Sequence, residues 1–390
     1  MSQRISARVQ GFTESVIREM TRVVMEHGGV NLAQGMPNWE PPREVLAAAH
    51  AAIDGDFHQY AVTWGAPSLR RAIADKYRKF YGMEVDPERH VTVCCGSTET
   101  MLSTLLAVLD PGDEVVIFEP FYENYGPGCI ISGAVPVWVP LEPPRFSFDP
   151  DRLARAVSPR TRAIVFNSPN NPTGKVFSRA ELDIIAELCL RHDLLAITDE
   201  IYEHIVYDGH GHTPIATLPG MAERTVTISG ISKSYSVTGW RVGYAVAPAD
   251  ISVGIRRAHD FVTVGAPHPL QEAAVAALAL PDSYYVWLRT MYQGKRDLLL
   301  RYLDKAGFVT YPPSGAYYIL TDAAHFLTRH GIADDTAFAM WLVREIGVAT
   351  VPGSSFYAHG ELGRTKIRFC FPKTDDVLQE AGERLLRLQA

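Results

Sequence analysis

The 390-residue chain lacks a long apolar run, an excess of positive charge and any regular spacing of cysteines. No stretch reaches the roughly twenty apolar residues of a membrane-spanning helix, and the N-terminal stretch lacks the apolar core of a signal peptide. The 37 lysines and arginines against 44 aspartates and glutamates give a formal net charge of −7. We therefore expect neither a membrane nor a nucleic acid as a partner.

The cysteines number five, show no CxxC spacing and mostly stand in apolar runs such as VTVCCG and IRFCF. This usage indicates buried, reduced thiols, so we expect a cytoplasmic protein without a bound metal. Cys94 and Cys95 could instead act as a nucleophile or as metal ligands. Because adjacent residues on a strand face opposite ways, a place in the core is favoured for them.

Length and patterning predict an α/β fold in two lobes. A chain of 390 residues is too long for one hydrophobic core. Short β-branched runs alternate with segments of helical periodicity, which indicates a largely parallel sheet covered on both faces. The predicted strands span residues 91–95, 114–120, 162–169, 194–200, 224–230 and 241–248. One helix, over residues 178–192, opens with a capping box of Ser178 and Glu181.

The C-terminal part of the chain has a different pattern. The predicted helices there span residues 286–306 and 334–346, and the short strands span 317–321 and 365–371. This pattern predicts a smaller α+β domain, which an N-terminal helix over residues 13–27 completes. We therefore divide the chain into an N-terminal segment (1–45) that joins the small domain, a large domain (46–281) and a small domain (282–390).

The string SGISKSYSVTGWR, which ends at Arg241, carries the most chemistry. A desolvated lysine such as Lys233 can lose its proton and condense with an aldehyde. The planar guanidinium of Arg241 can hold a phosphate with two parallel hydrogen bonds. The alternative is that both residues are solvated surface charges.

Further polar residues follow the predicted strands, where ligands bind in sheets of this kind. Ser97 and Thr98 precede a predicted helix whose first N–H groups could bind a phosphate, or else they only cap that helix. Tyr122 could stack on a flat cofactor or pack in the core, and Asn171 lies in a turn. Asp199 ends an apolar strand and needs a cationic partner when buried, which a pyridinium or a structural arginine would supply.

Four strings make the chain resemble the pyridoxal phosphate-dependent class I/II aminotransferases of fold type I: NLAQGMPNWEPP, NSPNNPTGKVFS, ITDEIYEHIVYDG and SKSYSVTGWRVGY. The likeness is closest to the branch of kynurenine aminotransferase, glutamine transaminase K and methionine aminotransferase. It implies a large domain with a mainly parallel seven-stranded sheet, pyridoxal phosphate as cofactor, and a homodimer. The implied reaction moves an amino group between an L-amino acid (aromatic, methionine, glutamine or similar) and a 2-oxo acid by a ping-pong mechanism.

The resemblance also implies roles at the cofactor. Three residues would be catalytic: Lys233, which binds the cofactor covalently and moves the proton at Cα, Asp199, which keeps the pyridine nitrogen protonated, and Tyr202, which hydrogen-bonds the ring oxygen together with Asn171. The other cofactor contacts would come from Tyr122 on the ring, from Arg241, Ser97 and Thr98 at the phosphate, and from Tyr60 of the neighbouring subunit.

For the substrate, the resemblance implies that Arg368 in KIRFCFPK holds the α-carboxylate, next to Asn171 and to the backbone of Gly35. The alternative for Arg368 is a surface charge on an edge strand. The predicted pocket wall consists mostly of apolar and aromatic residues, namely Met36, Trp39, Tyr60, Thr98 and Phe356. Such a wall favours methionine, glutamine or aromatic substrates over aspartate.

Two positions depart from the family pattern, and a pair of histidines resembles a metal-binding motif. Gly230 stands where the family often has a serine, so one hydroxyl contact to the phosphate is expected to be missing or displaced towards Ser229. Thr98 replaces a lysine or tyrosine of related enzymes, which weakens the case for acidic substrates and removes an aromatic wall. His210 and His212 in DGHGHTP could suggest a metal, but a surface turn is favoured because no carboxylate cluster is near in sequence.

Two other functions stay open. A carbon–sulfur β-lyase would use the same residues, because a leaving group on Cβ can depart once Cα has lost its proton. A non-catalytic ligand-sensing module, as found in some bacterial regulators, predicts a fused DNA-binding helix-turn-helix and a basic N-terminal extension. The aminotransferase-like strings begin within the first few dozen residues, which disfavours that alternative.

Overall fold

The computed structural model describes residues 4–10 and 14–389. Its strands are β1 (Val30–Asn31), β2 (Val91–Cys94), β3 (Glu114–Glu119), β4 (Val135–Pro140), β5 (Thr161–Asn167), β6 (Leu195–Asp199), β7 (Thr225–Gly230), β8 (Gly243–Val246), β9 (Val309–Tyr311), β10 (Tyr318–Asp322), β11 (Val348–Ala349), β12 (Val351–Pro352) and β13 (Lys366–Cys370). Its helices are α1 (Ala7–Gln10), α2 (Val16–His27), α3 (Arg43–Asp54), α4 (Pro67–Tyr81), α5 (Gly96–Val108), α6 (Tyr125–Ile131), α7 (Pro150–Arg155), α8 (Arg179–His192), α9 (Ala249–Val262), α10 (His268–Leu278), α11 (Asp282–Ala306), α12 (Ala324–His330), α13 (Asp335–Trp341) and α14 (Asp375–Leu386). A π-helical turn at Leu342–Ile346 continues α13.

The large sheet has seven strands in the order β2-β8-β7-β6-β5-β3-β4. Strand β8 runs antiparallel to both of its neighbours, and the other pairings are parallel. All six residues of β3 are buried, as expected for a strand covered by helices on both faces. The predicted α/β fold with a mainly parallel seven-stranded sheet is confirmed.

Strand β4 is the one strand of this sheet that was not predicted individually. Its sequence, VPVWVP, contains Pro136 and Pro140, and proline cannot donate a hydrogen bond to a neighbouring strand. The structure accommodates both residues because β4 lies at the edge of the sheet and pairs only with β3.

The capping box at the start of α8 forms as predicted. The Ser178 hydroxyl accepts the Glu181 N–H at 3.3 Å, and the Glu181 carboxylate accepts the Ser178 N–H at 2.9 Å. The predicted N-terminal helix also forms, as α2, although the first residue predicted for it, Thr13, lies outside the described residues.

The smaller lobe is built on a four-stranded antiparallel sheet in the order β12-β13-β10-β9. Strand β1 pairs in parallel with β11, so the N-terminal segment contacts this lobe. One hydrophobic cluster joins Met20 and Val24 of α2 to Leu299 of α11 and Leu378 of α14. A smaller domain is therefore present, while its boundaries at residues 45 and 281 stay predictions.

In the described part of the chain, no helix is both long and apolar enough to cross a membrane. All five cysteines are free thiols; Cys95 is half-buried and the others are buried, as predicted.

Candidate active site

The carboxyl ends of β5, β6 and β7 open onto a cavity of about 460 Å³. Strands, turns and helices of both lobes contribute to its wall. The carboxyl edge of the strands is the place where ligands bind in open α/β sheets. The lining residues are Ser15, Ile17, Arg18, Gln34, Gly35, Met36, Ser97, Thr98, Tyr122, Glu123, Asn124, Tyr125, Asn167, Asn171, Asp199, Ile201, Tyr202, Ser232, Lys233, Thr238, Arg241, Tyr318 and Arg368. Nine other predicted site residues therefore share one cavity with Lys233, namely Gly35, Ser97, Thr98, Tyr122, Asn171, Asp199, Tyr202, Arg241 and Arg368. Met36, predicted as part of the pocket wall, lines the same cavity.

Lys233 lies in the turn that follows β7, with its Nζ 5.9 Å from the centre of the Tyr202 ring. Burial, together with the positive charges of Arg241 and Arg368, lowers the pKa of Lys233 to about 8 against the opposing charge of Asp199. A useful fraction of the amine is therefore neutral near pH 8. A neutral amine is the form that attacks a carbonyl carbon.

Asp199 ends β6, and its carboxylate meets only neutral donors among the described residues. The Tyr125 hydroxyl donates to Oδ2 at 2.7 Å, and the Ile201 N–H donates to Oδ1 at 3.2 Å. Burial raises the pKa of Asp199 to about 6 despite these hydrogen bonds. A buried carboxylate with this surrounding is complementary to a cation, such as a protonated ring nitrogen.

The start of α5 packs closely against Arg241. Gly96 has a φ of +80°, and a Cβ at this position would lie 2.7 Å from Arg241 Cζ. A Cβ on Gly243 would lie 2.5 Å from the Ser97 nitrogen. Glycine is thus required at both positions, and together they bring a guanidinium next to the N-terminal N–H groups of a helix.

Neither of the predicted hydroxyl residues caps α5. The N-cap is Cys95, which makes no side-chain capping bond, and Thr98 Oγ1 accepts a hydrogen bond from Asn124 at 3.3 Å. The alternative that Ser97 or Thr98 serves only as a cap is therefore wrong. The helix start instead lines the cavity, where its free N–H groups could bind an anion.

Arg368 is fully buried in β13, which lies inside its sheet between β12 and β10. Its Nη1 donates to Asn171 Oδ1 at 2.9 Å, and its Cζ lies 4.4 Å and 4.9 Å from the ring centres of Tyr318 and Phe356. Its Nε has no partner among the described residues. The alternative of a surface charge on an edge strand is wrong, and the guanidinium keeps an open donor for an anion.

Tyr202, Tyr122 and Gly35 complete the predicted set around the cavity. The hydroxyls of Tyr202 and Tyr318 lie 2.9 Å apart. A Cβ on Gly35 would lie 2.8 Å from Cζ of the Tyr318 ring, so only glycine allows this close approach. Burial raises the pKa of Tyr122 to about 12, so this residue presents a neutral ring.

The structure explains Gly230, where the sequence departs from the family pattern. A Cβ there would lie 2.8 Å from the Val242 carbonyl oxygen and 3.0 Å from Gly243 Cα. Ser229 cannot substitute, because its hydroxyl donates to Glu203 at 2.7 Å and is not part of the cavity wall. Ser232, directly before Lys233, is a hydroxyl-bearing residue that does line the cavity.

Three predicted residues do not line the cavity of the single chain. Tyr60 is 83% exposed. Trp39 packs against Tyr292, with ring centres 5.7 Å apart. Phe356 lies behind Arg368 and contacts it instead of facing the open space. The pocket wall predicted from sequence is thus reduced to Met36 and Thr98 on this chain.

The surface turn predicted for the two histidines is wrong for one of them. His210 is exposed, whereas the His212 side chain is only 3% exposed and its Nε2 lies 2.7 Å from a Glu200 oxygen. The missing signal was the carboxylate, which comes from the turn after β6 and is twelve residues away in sequence.

Sequence reasoning missed Tyr125, Tyr318 and Ser232 as parts of the site. Tyr125 opens α6 and reaches Asp199 only because that helix crosses the end of β6. Tyr318 opens β10 and shares contacts with both Tyr202 and Arg368. No spacing rule links these residues, whereas the position of Ser232 beside Lys233 was a usable signal.

Comparison with known proteins agrees with this site. Residues 27–385 match the family "Aminotransferase class I and II". The chain is 40% identical over 389 residues to the probable N-succinyldiaminopimelate aminotransferase DapC of Mycobacterium tuberculosis, covering 97% of both chains. It is 37% identical over 415 residues to human kynurenine–oxoglutarate transaminase 1, covering 99% of this chain and 98% of the relative.

Among solved structures, YbdL from Escherichia coli, described as having a methionine aminotransferase function, superposes with a TM-score of 0.93 at 33% identity. The match covers 99% of this chain and 100% of that one. The chain therefore belongs to the class I and II aminotransferases, close to the kynurenine and methionine aminotransferase branch. It is a pyridoxal phosphate-dependent enzyme that transfers an amino group between an amino acid and a 2-oxo acid.

The residues present fit this cofactor. The buried Asp199 carboxylate needs a cation, the lysine amine is partly neutral, and the start of α5 beside Arg241 suits a phosphate. These three features lie around a single cavity, at the ends of neighbouring strands.

Proposed function

We propose that this enzyme divides its cavity between cofactor and substrate. Lys233 would bind the cofactor aldehyde, Asp199 its ring nitrogen, and Arg241 with the start of α5 its phosphate. Tyr122 would stack on the ring, and Tyr202 with Asn171 would hydrogen-bond the ring oxygen. The observation that carries the proposal is the buried Asp199 carboxylate, which forms no salt bridge with any described residue and lies in the same cavity as a lysine of lowered pKa.

The substrate carboxylate would bind Arg368. Its guanidinium is held by Asn171 and by two aromatic rings, and its Nε has no protein partner among the described residues. A guanidinium fixed in this way can donate two parallel hydrogen bonds to a carboxylate. This contact would orient the Cα–H bond of the substrate, and the Gly35 backbone would leave room for the carboxylate.

Proton transfer follows from the same geometry. Bound pyridoxal phosphate supplies an aldehyde that condenses with amines and a ring that accepts electrons from Cα. The Lys233 amine, which lines the same cavity, would hold the aldehyde and, when not bound to it, would act as the base and acid that moves the proton of the substrate Cα. Asp199 would keep the ring nitrogen protonated. Its hydrogen bonds to Tyr125 and Ile201 fix the orientation of the carboxylate for this contact.

We propose methionine, glutamine and aromatic amino acids as donors. Ile17, Met36 and Tyr122 supply apolar surface to the cavity, while Arg18 and Glu123 add charges of both signs. N-Succinyldiaminopimelate is a further candidate, because a relative at 40% identity carries that name.

The test is a panel of these donors against 2-oxoglutarate, pyruvate and glyoxylate, with the spectrum of the cofactor recorded in each half-reaction. We expect conversion to the pyridoxamine form by at least one proposed donor and reversal by a 2-oxo acid. An S-conjugate that yields pyruvate and thiol without any acceptor would favour the β-lyase. No spectral change with any donor would contradict the proposal.

We also propose a homodimer in which Tyr60 reaches the partner's cavity. Tyr60 is 83% exposed, and Phe261 at the end of α9 is 91% exposed, next to the exposed Val262 and Val264. Large exposed apolar side chains in one region are typical of an interface. A twofold dimer would bury them and bring each Tyr60 to the other subunit.

Subunit mixing tests this arrangement. Lys233→Ala and Tyr60→Ala are each expected to be nearly inactive. In a mixed dimer, one site would carry both defects and the other neither, so random mixing should restore about a quarter of the wild-type activity. No recovery in verified mixed dimers would contradict a contribution of Tyr60 to the neighbouring site.

We propose that the enzyme works in the cytoplasm, because its five free thiols suit a reducing compartment. We also propose that the domain boundaries lie near residues 45 and 281. Helix α11 begins at Asp282, directly after Pro281, which supports the second boundary. Fractionation of cells that produce the protein would test the location, and limited proteolysis would test the boundaries.

A further inference from the structure

A buried carboxylate–imidazole pair lies behind the start of α5. Glu99 is in the first turn of that helix, and its Oε2 accepts the Cys95 N–H at 2.9 Å. Both carboxylate oxygens lie 3.1 Å from His259 Nδ1 on α9, and the Ser103 hydroxyl donates to Oε1. The side chains of His259 and Glu99 are 0% and 10% exposed.

The hydrogen bonds define the charge of this pair. His259 Nε2 lies 3.0 Å from the Thr63 carbonyl oxygen, which can only accept, so Nε2 carries a hydrogen. Nδ1 lies 3.1 Å from both Glu99 oxygens, and a ring nitrogen approaches a carboxylate this closely when a further proton lies between them. Whichever partner holds that proton, the pair as a whole has no net charge.

Glu99 is close to the place where the cofactor phosphate would bind. Its carboxylate holds the N–H of Cys95, the residue directly before Gly96, and Gly96 packs against Arg241. An uncompensated carboxylate here would oppose the positive helix end and the guanidinium, and would repel a phosphate dianion. A carboxylate at this position, although it suits the helix end itself, is therefore compatible with strong phosphate binding only if its charge is cancelled.

We propose that His259 is a positioning residue that cancels the charge of Glu99, so that Glu99 can fix the phosphate-binding start of α5 without weakening phosphate binding. The same imidazole holds the Thr63 carbonyl, three residues from Tyr60. The pair thus connects the start of α5 to the segment that we assign to the neighbouring site. This inference rests on the proposed placement of the phosphate.

The directions of the two pKa shifts favour a protonated His259 beside an ionised Glu99, a pair without net charge. Burial alone would lower the pKa of His259, but the hydrogen bond to Glu99 raises it overall. Burial alone would raise the pKa of Glu99, but hydrogen bonds from His259 and Ser103 lower it overall.

A charge-rescue experiment tests the proposal. Apoenzymes of the wild type, His259→Gln, Glu99→Gln/His259→Gln and Thr263→Val are titrated with pyridoxal phosphate, and the dissociation constant is read from absorbance and fluorescence. Thr263→Val is the matched control, because it removes a hydroxyl 3.1 Å from His259 Nδ1 without changing any charge. Thermal unfolding of each apoenzyme measures the structural damage separately.

We expect His259→Gln to raise the dissociation constant about tenfold, since it leaves one negative charge beside the phosphate. The double variant should return to within about threefold of the wild type, although it has lost both partners, and Thr263→Val should stay within about twofold. A double variant that binds as weakly as His259→Gln would overturn the proposal, as would wild-type affinity in His259→Gln.

The test remains decisive if one variant fails to fold, and its failure can be told apart from failure of the proposed function. If His259→Gln does not fold, the comparison of Glu99→Gln with the double variant replaces it, and equal affinity within threefold is then expected. A loss greater than tenfold in the double variant would contradict the charge argument. If the wild type itself binds no pyridoxal phosphate at Lys233, the proposed function fails before this inference is tested.

Discussion

The two halves of the cavity use arginine in different ways. On the side of the large sheet, Arg241 is exposed in the single chain, and its Nη1 donates to the Thr238 carbonyl at 3.0 Å. On the side of the smaller lobe, Arg368 is fully buried between the rings of Tyr318 and Phe356. The exposed Arg241 guanidinium can adjust its position to a phosphate that remains bound. The Arg368 guanidinium, in contrast, is already fixed by its neighbours before a substrate binds.

The halves also differ in how they perturb acids and bases. The large-sheet half contains two groups whose shifted pKa values lie near neutral pH, Lys233 with a lowered pKa and Asp199 with a raised pKa. The smaller lobe supplies a permanent charge and shape, through Arg368 and Gly35. We infer that chemistry belongs to the first half and recognition to the second, so that mutations should separate them.

The largest expected effect is at Lys233. Lys233→Ala should lower kcat at least about 10⁴-fold, because it removes both the nucleophile and the base. Steady-state transamination with the best donor measures the effect, and circular dichroism checks the fold. Retention of more than a hundredth of the wild-type rate would show that another group moves the proton.

Arg368→Gln should lower kcat/KM about 10²–10³-fold, mainly through KM, because a buried charge-assisted pair with the carboxylate is lost. The affinity for pyridoxal phosphate should change less than about threefold, since this residue is assigned to substrate alone. Equal losses of substrate and cofactor binding would contradict the division of the cavity.

Arg241→Gln should show the opposite pattern, with weaker cofactor binding and a smaller change in KM. It should also raise the pH at which Lys233 reacts. The rate of cofactor capture by the wild-type apoenzyme should rise with pH around a midpoint of about 8, because the neutral amine is the reactive form. Loss of the Arg241 charge should move that midpoint upward. An unchanged midpoint would mean that the Arg241 charge does not contribute to the lowered pKa of Lys233.

Asp199→Asn should stabilise the apoenzyme while abolishing turnover. The folded pKa of Asp199, about 6, lies above its value in an unfolded chain. The group therefore favours folding at low pH, and this contribution is lost as pH rises from about 4 to above 6. At pH 8 the amide should add about 1–2 kcal/mol to the free energy of unfolding. A less stable apoenzyme variant in urea would contradict this account.

The smallest effect is expected at Trp39. Trp39→Phe should change KM for every donor by less than about twofold, because the indole packs on Tyr292 and does not line the cavity. A larger change that depends on the donor would restore the substrate contact inferred from the sequence.

Sequence reasoning located the half of the site that lies on strand ends. Asp199 and Lys233 follow short apolar strands, and parallel strands bring such positions to one edge. The sequence did not predict the parts of the cavity wall that depend on packing between separate elements of the fold. Trp39 turns towards α11, and Tyr125 reaches Asp199 only through the placement of α6. These contacts join residues with no common period in the sequence.

The departure at Gly230 shows the same limit at a single residue. The sequence indicated a missing hydroxyl but gave no reason for it. The reason is the close approach of β8, whose Val242 carbonyl would lie 2.8 Å from any Cβ. The local pattern also could not show that Glu99 and His259, 160 residues apart, lie within hydrogen-bond distance behind the start of α5.

The most direct test of the account is covalent trapping at Lys233. The holoenzyme is reduced with borohydride and digested, and its peptides are analysed by mass spectrometry. We expect a phosphopyridoxyl group on the peptide that contains Lys233 and none on Lys76, Lys295 or Lys373, which are also buried. A label on another lysine, or no label in a protein that retains its cofactor, would contradict this account.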